Sequence, residues 1–84
     1  MSDETRYKLS RAALFGGYGL AVPETLALGR IIPNGDTAAF ARLEAGTALI
    51  FAGWALRGIK VPTIVNGAAL VGFAAWWAAA RQND

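Results

Sequence analysis

The stretch VPTIVNGAALVGFAAWWAAA, residues 61–80, contains no charged side chain and is bounded by Lys60 and Arg81. At about 1.5 Å of rise per residue, a helix of that length crosses roughly 30 Å of hydrocarbon. The rest of the chain agrees with this reading. Of its 84 residues 55% are hydrophobic and only 17% are charged, which is more apolar surface than a small domain can hide from water. Charge-free runs recur at residues 12–23 and 45–56. The sequence therefore predicts an all-α integral membrane protein.

Three transmembrane helices are expected within a single small membrane domain, residues 1–84. The opening MSDETRYKLSR, residues 1–11, is polar and reads as a short lead or the frayed first turns of a helix. Helix 1 is expected over 12–32, helix 2 over 37–57 and helix 3 over 61–81, with a polar tail at 82–84. Between the first two lies PNGD, residues 33–36, a turn whose Asp36 can accept from the free amides of the next helix. Gly58 stands where a left-handed cap would close helix 2, and Pro62 suits the first turn of helix 3. A cleaved signal peptide ending near Ala27–Gly29 is the competing reading of the first segment. Because Met1 is present, the expectation is a retained helix.

Basic residues set the expected orientation. Three crossings place Arg6, Lys8, Arg11, Arg57 and Lys60 on one side and Arg30, Arg42 and Arg81 on the other. The side richer in cations is expected to be cytoplasmic, which puts the amino terminus on the cytoplasmic side of a bacterial inner membrane and the carboxyl terminus outside. Tyr7 and Trp54 then fall near the cytoplasmic interface and Trp76 and Trp77 near the opposite one, as interfacial anchors.

Small residues form the most regular pattern. Ala41, Ala45, Ala48, Ala52 and Ala55 recur at steps of four and three, and Ala68, Gly72, Ala75 and Ala79 repeat that spacing. In lipid such stripes let backbones approach closely. Helices 2 and 3 are therefore expected to form a tight antiparallel hairpin through these faces, with Phe40, Leu43, Ile50, Phe51 and Trp54 on the opposite flank of helix 2. Gly16, Gly17 and Gly19 read as positions of close approach in helix 1, or as a hinge. Asn66, inside the third span, is expected to bond a neighbouring backbone group.

Glu24 is the deepest charge, and Pro23 before it removes an amide donor and predicts a kink. An intramembrane carboxylate can pair with a cation, contact a partner or take part in transport. Counted from the PNGD turn, Glu24 lies about 12 Å down helix 1 and Arg42 about 8 Å down helix 2, within reach of an arginine stem. Alternatively, VPETL, residues 22–26, opens a new helix and the first segment only partly spans.

The chain has no cysteine and no histidine. The usual ligands for haem, zinc, copper or iron–sulfur clusters are thus missing, and no cofactor is expected by ligation or covalent attachment. Lipids, pigments or quinones would touch the chain by contact only. A net charge of +2 is too small and dispersed to suggest nucleic acid. No nucleophile with a base, pair of acids or metal set can be assembled, so no enzyme is expected.

Two function classes follow. One is a small non-catalytic accessory subunit of a larger membrane complex, with respiratory or photosynthetic assemblies as candidate hosts. The other is a self-assembling pore or small transporter, which in outline alone resembles phage holins and small multidrug exporters. A pore should show a polar stripe along one helix, and Thr47, Thr63 and Asn66 do not form one. The accessory subunit is the leading expectation.

Overall fold

The structure, a computed structural model, describes residues 2–27 and 35–82. Among the described residues there are three helices: α1 (Asp3–Leu26), α2 (Thr37–Leu56) and α3 (Lys60–Gln82). The expected end of helix 1 at residues 28–32, with Arg30, lies outside the described residues, as do Pro33, Asn34 and residues 83–84.

Helix α1 begins nine residues before the expected position, because the polar lead supplies its own start. Ser2 caps it by accepting from the Thr5 amide at 3.1 Å. Asp3 and Glu4 stand in the first turn, where the helix dipole favours acids, and Glu4 pairs with Lys8 at 3.1 Å. The helix then runs through Pro23 to Leu26, so VPETL does not open a separate element. The residue four before Pro23 is Gly19, whose carbonyl is the one left without an amide donor.

The turns follow their sequence signals. Asp36 accepts from the Ala39 amide at 3.0 Å and starts α2. At the other end Gly58 takes φ +71°, a conformation that costs glycine nothing. Its amide donates to the Ala55 carbonyl and that of Ile59 to the Trp54 carbonyl, the paired bonds of a Schellman cap. Three residues thus reverse the chain into α3.

Two corrections concern the expected three spans and the expected hairpin. Helices α2 and α3 are long and apolar enough to cross a membrane, but α1 is not; Asp3, Glu4, Arg6, Lys8, Arg11 and Glu24 all lie within it. The tight antiparallel pair is α1 with α2 rather than α2 with α3. Its seam runs through Ser10, Gly17 and Ala21 of α1 and Ala39, Leu43, Gly46, Thr47, Ile50 and Gly53 of α2, all buried. No residue of α3 is fully buried.

Candidate functional site

The α1–α2 seam positions the Glu24–Arg42 pair and the Ser10–Arg57 hydrogen bond, one toward each of its ends. On α2 its residues 39, 43, 46, 50 and 53 step by four and three, the 3.5-residue period of a left-handed supercoiled pair. Glycine makes the contact close. A Cβ placed on Gly17 would lie 2.6 Å from Ile50 Cγ1 and 2.7 Å from the Gly46 carbonyl oxygen. One on Gly46 would lie 2.7 Å from the Ala21 nitrogen and 2.8 Å from the Gly17 carbonyl oxygen. Backbone meets backbone there, and no larger residue fits.

The alanine stripe of α2 had the right period and the wrong phase. Ala41, Ala45, Ala48, Ala52 and Ala55 are all exposed. Each lies two positions beyond a seam residue, a rotation of about 200° at roughly 100° per residue. Ala68, Gly72, Ala75 and Ala79 of α3 are exposed as well, and a Cβ on Gly72 would meet nothing within 4 Å. The contact between α2 and α3 is instead aromatic against small or flat. Phe40 stacks on Trp77 with ring centroids 4.4 Å apart and planes 11° from parallel, and Phe51 lies against Gly67. Trp77, expected as an interfacial anchor, is thus an interhelical contact, while Trp76 is exposed. Of the three glycines singled out in helix 1, Gly17 makes the close approach. A Cβ on Gly16 would meet Leu49 at an ordinary 3.7 Å, and one on Gly19 would meet nothing.

At the end of the seam where α1 finishes and α2 begins, Arg42 Nε donates to Glu24 Oε1 at 2.8 Å. The Glu24 side chain is 15% exposed and that of Arg42 is 51% exposed, so the acid is the shielded partner. Glu44 lies one turn beyond Phe40, and its Oε1 is enclosed without a hydrogen-bond partner among the described residues. Asn66 donates to the Pro62 carbonyl at 2.8 Å.

The opposite end holds a cluster that sequence reasoning missed. Ser10 is wholly buried; its hydroxyl donates to the Tyr7 carbonyl at 2.7 Å and accepts from Arg57 Nε at 3.0 Å. The Arg57 guanidinium stands 4.6 Å from the centre of the Tyr7 ring, a cation–π distance. Arg11 stands 5.7 Å from the Phe15 ring, and Trp54 Nε1 donates to Tyr18 Oη at 3.3 Å. Tyr7, Arg11, Leu14, Phe15, Tyr18, Trp54 and Arg57 line an open groove of about 600 Å³, beneath which Ser10 lies buried. The available signal was the heptad step itself: Ser10, Leu14, Gly17 and Ala21 keep the same period on α1.

Chemically the site can hold charge and apolar surface together. The Ser10 hydroxyl is engaged both as donor and acceptor, and among the described residues no three acids gather where they could hold a metal ion. Comparison with models of known protein families, with curated proteins and with solved structures finds no match to this chain.

Proposed function

We propose that the chain is a small non-catalytic subunit of a larger membrane protein complex, contributing helices to its surface. The observation that carries this reading is α3, an apolar helix of 23 residues with none of them fully buried. Val61 is 71% exposed and Val71 70%, a surface that water penalises and that lipid or another protein accepts. The outward stripe Ala68, Gly72, Ala75, Ala79 favours a protein neighbour, because small residues admit a second backbone. A second stripe faces outward on α2, from Ala41 to Ala55.

In this reading α1 shares the depth of α2. It packs antiparallel along it, and its charge-free part, residues 12–23, covers only about 18 Å. Arg42 neutralises the one charge that goes deeper, Glu24. The basic residues Arg6, Lys8, Arg11, Arg57 and Lys60 lie toward the α2–α3 turn, and the positive-inside tendency puts that end in the cytoplasm.

The test is to tag the carboxyl terminus, extract native membranes in mild detergent, and identify what co-purifies by size and mass spectrometry. Stoichiometric recovery with a large assembly is expected. A homogeneous ring of this chain alone would overturn the proposal in favour of a pore, and recovery in the soluble fraction would remove the membrane from the account.

A further inference from the structure

We propose that the groove between the first half of α1 and the last turns of α2 binds one anionic phospholipid. Arg11 and Arg57 hold its phosphate, and an acyl chain lies along Leu14, Phe15 and Trp54. This inference rests on the membrane reading above.

The groove is charged at one end and apolar along its length. Arg57 follows the last residue of α2, and Lys60 begins α3, so the guanidinium stands where the apolar span gives way to headgroups. From Arg11 to Tyr18 the groove follows α1 for about 10 Å toward the middle of that span. Its volume of about 600 Å³ falls within the range of small-molecule sites. The groove is open on its side, as entry from a bilayer requires.

Both cations are available to an anion. Among the described residues neither Arg11 nor Arg57 forms an ion pair with an acid. Asp3 lines an adjoining hollow together with Arg6 and Arg57, but it is not within ion-pair range of Arg11 or Arg57. Arg57 is held in place by the Ser10 hydroxyl and the Tyr7 ring, which lowers the entropy lost on binding. The planar fork of arginine matches phosphate oxygens in pairs. A zwitterionic lipid would bring its own cation toward these two, and a free phosphate would leave the aromatic length of the groove unused. An anionic phospholipid satisfies both parts, consistent with basic pockets at the ends of membrane helices.

The experiment uses the full chain with Trp76→Phe and Trp77→Phe, which leaves Trp54 as the fluorophore and retains a ring to stack on Phe40. It is reconstituted in phosphatidylcholine vesicles containing equal minor fractions of either dibrominated phosphatidylglycerol or dibrominated phosphatidylcholine. Phosphatidylglycerol is expected to occupy the site with higher relative affinity, and Arg11→Gln to reduce that preference about fivefold. Arg11 is exposed and makes no hydrogen bond among the described residues, so this variant tests binding rather than folding. Lys60→Gln removes the same charge outside the groove and is expected to leave the preference in place. An equal loss with Lys60→Gln would show a diffuse field and overturn the site, as would equal quenching by the two lipids. Quenching that vanishes as a cross-linked dimer forms would assign the groove to a second copy instead. A chain that fails to float with the vesicles overturns the membrane reading and this proposal together, whereas one that floats without preference overturns this proposal alone.

Discussion

The two interhelical seams of this protein are built differently. Between α1 and α2, glycine and alanine bring backbones together, and a single added methyl at Gly17 or Gly46 would strike main-chain atoms. Between α2 and α3, Phe40 lies flat on Trp77 and Phe51 covers Gly67, so side chains hold the backbones apart. In an apolar solvent there is no hydrophobic gain in hiding apolar surface from lipid, and packing contact distinguishes one neighbour from another. The close seam is the stronger specification, while the looser one leaves most of α3 uncovered.

The sharpest way to break this comparison is Gly46→Ile. The neighbouring atoms are backbone and cannot yield, so the pair must separate; overpacking of this kind costs about 3 kcal/mol. Ala48→Ile, on the exposed stripe, is expected to change stability by less than about 0.5 kcal/mol. Reversible unfolding in detergent micelles measures both, and equal costs would place the seam on the wrong face of α2.

Next in size, Trp77→Ala removes the stack on Phe40 and the ring 4.8 Å from the Arg81 guanidinium. A loss of about 2 kcal/mol is expected for this half-buried aromatic. Cysteine cross-linking across each seam should show α3 loosened while α1 stays on α2. Loosening of both would mean that the seams are not independent.

A smaller effect is expected at the Glu24–Arg42 pair. Glu24→Gln should weaken the α1–α2 association, and the exchange Glu24→Arg with Arg42→Glu should recover much of the loss. A double variant no better than the worse single one would show that the pair adds nothing to the seam. The smallest effect is expected from Glu44→Gln, which keeps the shape and removes a charge whose enclosed oxygen has no hydrogen-bond partner among the described residues. Stability unchanged or slightly raised is the expected outcome; a clear loss would reveal a partner for that carboxylate.

Much of the local structure was legible in the sequence. Asp36 and Gly58 mark the start and end of α2 through capping chemistry, which depends only on near neighbours. Length with mean hydropathy separates α2 and α3 from α1; charge-free runs alone do not, since residues 12–23 and 45–56 are equally long, and so the sequence suggested three spans. The proximity of Glu24 and Arg42 followed from counting helical rise on either side of one turn. The groove was not legible, because it depends on Arg57 lying beside Ser10, 47 positions earlier in the chain.

The sequence alone determined that the chain is helical, the caps of α2 at Asp36 and Gly58, and the small-residue period, since each follows from local backbone chemistry and composition. Two stripes on α2 carried that same period: the alanines from 41 to 55, and the set Ala39, Leu43, Gly46, Ile50, Gly53. Only the tertiary structure decided between them, because the choice depends on Gly17 and Ala21 of α1 arriving in register opposite Gly46. A helix repeats at the same interval on every face, so its period cannot say which face meets a neighbour; that is settled where two backbones come close enough to exclude a side chain.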